Sequence, residues 1–145
     1  MINIFFIYNL NTNELLNKIA KDSSEKFNYK IKKFDLFNKD YIENFIYSLN
    51  NSQAVLTDSY HGTIFSIMFN KPFLSFIDTN TRKLGKGRFD SLKEMFNLKN
   101  RIVDPLENLN ISLNLLLESP NINITLFNEL KKFSISYLKK NLDIL

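Results

Sequence analysis

The chain of 145 residues has no cysteine, no tryptophan and one histidine, and it is poor in glycine and proline, with three of each. The missing cysteine excludes disulfides, thiolate metal sites and cysteine nucleophiles. With one imidazole and no thiol, a zinc site would have to lean on carboxylates, an unusual ligand set. No apolar run approaches the roughly 20 residues of a membrane-spanning helix. The apolar stretch Met1 to Tyr8 has no basic residues before it and no small-residue cleavage site after it, so it reads as a strand rather than a signal peptide. A cytoplasmic protein is the expectation. There is no Gly-Lys-Ser/Thr phosphate loop, no dinucleotide fingerprint and no Gly-x-Ser-x-Gly nucleophile elbow. No cofactor and no metal are expected.

What remains is 44% hydrophobic and 23% charged, the balance of a globular chain, and its length suits one domain over 1–145 with a real core. The net charge of +4 is compatible with an anionic ligand. It does not point to nucleic acid, because the basic residues are spread along the chain except in one segment.

Strand-like and helix-like segments alternate. Ile2 to Tyr8 is a continuous apolar run, as in a strand covered on both faces. Asn11, Thr12 and Asn13 offer caps for a helix carrying Leu15, Leu16, Ile19, Ala20 and Phe27. Tyr29 to Asp35 alternates as a second strand. Asp40 can cap the next helix, with Tyr41, Phe45, Ile46 and Leu49 on its apolar face. Ala54 to Thr57 is a third strand, Gly62 to Phe69 a mostly apolar helix, and Phe73 to Ile77 a fourth strand. A polar loop is expected over Asp78 to Arg88, then a helix capped by Asp90, then a short strand at Arg101 to Asp104. A long amphipathic helix is expected over about 124–143, its lysines forming a solvated face rather than a nucleic-acid or membrane surface. This alternation predicts a three-layer, Rossmann-like α/β domain with a mainly parallel sheet.

The lone imidazole sits at a strand-to-helix corner, Thr57-Asp58-Ser59-Tyr60-His61-Gly62-Thr63. In open α/β sheets ligands bind outside the carboxyl ends of the strands, where such corners lie. Imidazole can give or take a proton near neutral pH. Gly62 would let backbone approach a ligand closely, and a helix start presents free N–H groups to a phosphate or carboxylate. Ser59 and Thr63 can donate hydroxyl hydrogen bonds to the same anion, with His61 as general acid or cationic partner. The plainer alternative is that Ser59 or Asp58 caps the helix and His61 is a satisfied polar residue. The second candidate is the segment from Asn80 to Asp90, which holds two of the three glycines and four basic residues, including Arg82, Lys86 and Arg88. Arginine can hold phosphate or carboxylate through two parallel hydrogen bonds. The alternative there is a solvated basic surface loop.

Residues 54–73, with Thr57-Asp58-Ser59-Tyr60-His61-Gly62 at their centre, resemble the signature of the polysaccharide pyruvyl transferase family. That signature runs from an apolar strand through Thr-Ser-Arg-Leu-His-Gly, or the variant Thr-Asp-Ser-Phe-His-Gly, to a helix and a Gly/Asn-x-Pro before the next strand. The likeness continues through Arg88-Phe89-Asp90-Ser91-Leu92 and Leu98-x-x-Arg101-Ile102, so it spans roughly Ile2 to Asp104. The resemblance implies a domain like the C-terminal half of a GT-B architecture, without its N-terminal partner domain; the chain enters its first strand almost at residue 1, as the second half of a two-domain enzyme would.

It also implies a bacterial enzyme of exopolysaccharide and cell-envelope biosynthesis, transferring pyruvate from phosphoenolpyruvate to a saccharide acceptor. His61 would take the family histidine's catalytic part. Asp58, Ser59, Tyr60, Gly62, Thr63, Arg82, Lys86 and Arg88 would bind substrate. The family's donor-gripping arginine aligns with Ser59, so either Arg82 or Arg88 supplies the charge or the donor is a different anion. Partners would be the anionic donor, the saccharide and either a separate N-terminal domain or a second copy. The alternatives are a non-catalytic or split-subunit anion-binding domain, and a GT-B glycosyltransferase half binding a nucleotide-sugar.

Overall fold

Successive side chains of a strand point to opposite faces, and the apolar strands of this chain meet helices on both. The computed structural model describes residues 3–10, 13–34, 41–78, 82–107 and 111–142, and the backbone but not the side chains of 82–85. Five strands appear among them: β1 (Ile4–Tyr8), β2 (Lys30–Lys33), β3 (Ala54–Thr57), β4 (Phe73–Phe76) and β5 (Ile102–Val103). They form one sheet in the order β2-β1-β3-β4-β5, with every neighbouring pair parallel. The helices are α1 (Glu14–Phe27), α2 (Tyr41–Asn51), α3 (Tyr60–Met68), α4 (Arg82–Met95) and α5 (Ile124–Asn141), with a 3-10 turn at Leu113–Leu117. The expected α/β architecture is the one observed.

The strand pleat divides the core in two. Phe5 and Ile7 of β1, with Ala54 and Leu56 of β3, pack against Leu16, Ile19 and Ala20 of α1 and Leu116 of the 3-10 turn. Phe6, Tyr8 and Val55 face the other way, onto Phe45 and Leu49 of α2, Ile67 of α3, Phe89 and Leu92 of α4, and Phe96 just past its end. The edge strand β2 is exposed throughout and carries three lysines, which discourage further strand pairing. Asn13 caps α1, its side chain accepting the Leu16 N–H at 3.0 Å. Asn70 ends α3 in the left-handed region at φ 49°, and the Lys71 N–H returns to the Ser66 carbonyl.

Several sequence expectations fall on Ile2, Asn11, Thr12, Asp35, Asp40, Asn80 and Thr81, which lie outside the described residues. The expectation of a polar loop through Arg88 is corrected: from Arg82 onward the chain is helical, and Asp90 lies inside α4 beside Lys93 at 3.4 Å instead of capping it. Two glycines argue against helix by roughly 1 kcal/mol each. Burial of Phe89, Leu92 and Phe96 against the sheet outweighs that, at about 1.5–3 kcal/mol per large apolar side chain. The third helix also starts earlier than expected, at Tyr60, which puts His61 in its first turn. Helix α5 half-buries Phe127 against Phe96, but none of its residues is fully buried, and Phe133 is 71% exposed. No helix among the described residues is long and apolar enough to cross a membrane.

A side chain at Gly87 would meet nothing within 4 Å, and no glycine described has a positive φ. Gly87→Ala should therefore raise stability by roughly 0.5–1 kcal/mol, through helix propensity and a less flexible unfolded chain. Urea denaturation of the two proteins checks this; a loss of stability overturns the placement of Gly87 in an open helical position.

Candidate active site at the β3–α3 corner

The chain leaves β1 toward β2 on one side and returns through β3 on the other, so the sheet's order reverses between β1 and β3. Ligands of such sheets bind outside the carboxyl ends of the strands at that reversal. Here the crevice is bridged: Asp58, buried just past β3, accepts the Leu10 backbone N–H on Oδ1 at 2.8 Å, across from the end of β1.

The corner is braced by hydroxyls. Thr57 Oγ1 donates to the Tyr8 carbonyl at 2.5 Å and accepts the Ser59 N–H at 3.0 Å. Ser59 caps α3: its Oγ faces the Gly62 N–H at 3.4 Å, and its carbonyl accepts both the N–H and the hydroxyl of Thr63 at 3.0 Å. The Thr63 hydroxyl meets that of Ser75 on β4 at 2.6 Å, which ties the helix to the next strand. Ser66 Oγ donates back to the Gly62 carbonyl at 2.8 Å. Gly62 is where helix and sheet touch. A methyl there would overlap Thr57 Oγ1 and come within 2.9 Å of Tyr8 Cδ1. Its missing side chain serves the approach of α3 to β1 and β3.

Ser59, Gly62 and Thr63 are thus turned into the structure, and Thr63 is wholly buried. Tyr60 and His61 are turned the other way. Tyr60 is half-buried, its ring edge-on to Phe89 at 5.7 Å, and the imidazole of His61, exposed, lies 6.0 Å from the same ring. From α4 the guanidinium carbon of Arg88 sits 5.0 Å from the centre of the Tyr60 ring. The structure therefore brings Tyr60, His61 and Arg88 together. Lys86 turns elsewhere, pairing with Glu107 and lying 3.8 Å from Asp104 past β5. The Arg82 side chain lies outside the described residues.

A pair of phenols escaped the sequence reading. Tyr8 and Tyr41, far apart in sequence, meet oxygen to oxygen at 2.9 Å beside Asp58 and Ser59. Burial first, then the Tyr41 hydrogen bond, pushes the Tyr8 phenol from 10.0 up to about 12. Its place at the end of the first apolar strand was the available signal. Among the described residues no three acidic or histidine side chains gather into a group able to hold a metal. A cavity of about 560 Å³ opens between α4 and the β5 edge, lined by Lys93, Lys99, Val103, Asp104 and Glu107 among others. None of the corner residues lines it. The corner has the better claim, because it holds the only imidazole, at the edge where parallel sheets bind ligands.

An all-parallel sheet layered between helices, with its candidate groups past the strands' carboxyl ends, defines a Rossmann-like α/β domain. Within that class, the family model described as polysaccharide pyruvyl transferase matches residues 1–80, more than half of the chain. The chain belongs to that family. No curated protein and no solved structure matches it. The match takes in β1 through β4 and the whole His61 corner and stops short of α4.

Two outcomes follow from the brace. Gly62→Ala should destabilise by roughly 1–3 kcal/mol, since the added carbon meets a β-branched side chain held by its own hydrogen bonds; thermal or urea unfolding measures it. The second concerns pH. Between 10.0 and about 12 the unfolded phenol has ionised while folded Tyr8 still holds its proton. The unfolded state then binds fewer protons, and stability falls as pH rises through that window. Tyr8→Phe should fall less steeply over the same range.

Proposed function

We propose that this chain acts in the transfer of a pyruvyl group from phosphoenolpyruvate to a saccharide of a bacterial cell-surface polysaccharide, in the cytoplasm, as the lobe of a two-lobed enzyme that carries the donor-side groups. The observation that carries the reading is the exposed imidazole of His61 in the first turn of α3, beside Arg88 on the shared ring of Tyr60. The family match supports it, because it covers the segment that presents His61.

The chemistry suits an imidazolium. His61 would deliver its proton to the methylene carbon of phosphoenolpyruvate, making a C–H bond and leaving an oxocarbenium-like centre at the neighbouring carbon. A saccharide hydroxyl adds to that centre and loses its proton. Departure of phosphate and attack by a second hydroxyl of the same sugar close the ketal. Asp58, Ser59, Gly62 and Thr63 contribute by holding the helix start in place, and Arg88 on the ring of Tyr60 supplies the surface that meets the donor. General acid catalysis of this kind is worth about 10²–10⁴-fold.

Calorimetry with phosphoenolpyruvate and with UDP tests the donor, and the methyl signal of a new ketal by proton NMR tests the reaction with an acceptor saccharide. Phosphoenolpyruvate is expected to bind and UDP not to bind. His61→Asn should leave donor affinity nearly unchanged and lower ketal formation by at least about 100-fold. Binding of UDP in place of phosphoenolpyruvate overturns the donor assignment in favour of a nucleotide-sugar enzyme. Unaltered ketal formation in His61→Asn removes the histidine from the reaction.

A further inference from the structure

We propose that Arg88, seated on the ring of Tyr60, is the residue that grips the anionic end of the ligand at this corner, replacing from a neighbouring helix the arginine that the family motif carries at the place of Ser59. The proposal rests on the reading of the corner as a donor site, and it commits to one of the basic residues available.

Position 59 cannot do the task. Ser59 is 1% exposed, and its oxygens hold Gly62 and Thr63. A long cationic side chain there would have to leave the interior and give up the cap. Lys86 is held by Glu107 and Asp104 at the far end of the sheet's edge. Arg88 differs from both. It is exposed, it rests on an aromatic ring, and among the described residues no carboxylate lies within ion-pair distance of it.

The ring matters for geometry. A guanidinium uses its flat face on an aromatic ring, while its N–H groups point outward in the plane. Resting on Tyr60 therefore limits where the fork can be without occupying its hydrogen bonds. Tyr60 is itself fixed, edge-on to buried Phe89, and it adjoins His61 in the chain. The fork and the imidazole therefore lie on either side of one fixed ring. The matching ligand is a small oxyanion, phosphate or carboxylate, taken in two parallel hydrogen bonds. Phosphoenolpyruvate carries both groups, which lets one end sit on Arg88 while its methylene lies toward His61.

The test uses the intact chain with phosphoenolpyruvate and, separately, inorganic phosphate. Affinity is read by calorimetry, and the site by the ring-proton NMR signals of His61, the only imidazole in the chain. Arg88→Ala should weaken phosphoenolpyruvate binding at least about tenfold, and Arg88→Lys should recover part of the loss, because a charge returns without the fork. Lys132→Ala, which removes an exposed cation of α5 away from the corner, should bind as the parent does. Arg88-dependent movement of the His61 signals by phosphate, with no binding of phosphoenolpyruvate, supports the anion grip and removes the donor assignment alone. Tight binding of phosphoenolpyruvate that survives Arg88→Ala overturns this proposal and leaves the pyruvyl reading standing. No response of His61 to either anion overturns it as well.

Discussion

The contact on which the corner depends is the one between Gly62 and the pair Thr57 and Tyr8. It lets the first turn of α3 lie directly on the ends of β3 and β1. Thr57 Oγ1 completes it by joining three segments, since it donates to the carbonyl of Tyr8 and accepts the N–H of Ser59. Once residues 59, 62, 63 and 66 are fixed against the sheet, helical geometry decides the rest. Positions 61 and 68 fall on one face, seven residues apart, and both are exposed. The outward aim of His61 is thus a consequence of what its neighbours bury.

The electrostatics of this edge follow from the same strands. Asp58, Asp78 and Asp104 lie just past the ends of β3, β4 and β5, and all three are buried. Asp58 and Asp104 accept nearby backbone N–H groups, from Leu10 and Leu106. A row of carboxylates disfavours a nearby anion, so an anionic ligand at this edge gains from a cation facing it. Lys86 is consumed by that row, through Asp104 and its neighbour Glu107. Arg88 is held by an aromatic ring and keeps its charge available. Cation–π contact costs the guanidinium none of its N–H donors, which a carboxylate partner would have taken.

Much of this was legible in local sequence. The apolar run ending in Thr57-Asp58-Ser59 and the cap before an apolar helix are short-range signals, and they placed His61 at a corner correctly. Residue type does not encode direction, however. Ser59 and Thr63 look like ligand donors in sequence and become braces in the fold, because burial of α3 turns them inward. Gly62 was legible as a place of close backbone approach, but the approach is to Thr57 and Tyr8. The start of α4 was missed for another reason. Gly85 and Gly87 are weak helix formers, and the burial that overrides them, at Phe89, Leu92 and Phe96, depends on a sheet face assembled from distant segments. The Tyr8–Tyr41 pair is of the same kind, joining parts of the chain that only the folded sheet brings together.

Gripping an anion and protonating a carbon place different demands on this surface. An arginine fork on a ring is competent in water, because its charge is permanent and its hydrogen bonds to an oxyanion are charge-assisted. Carbon protonation gains from exclusion of water, which strengthens every charge in the site and prevents proton leakage. His61 stands exposed, so the step assigned to it belongs to a state in which ligand and a second surface cover the imidazole. The corner itself is held by hydroxyl hydrogen bonds that tie α3 to three strands. That brace fixes where His61 lies, so in the proposed sequence of events binding can precede closure. On the proposed reading, donor affinity would be set by the α3–α4 face, whereas turnover would depend on what closes over it.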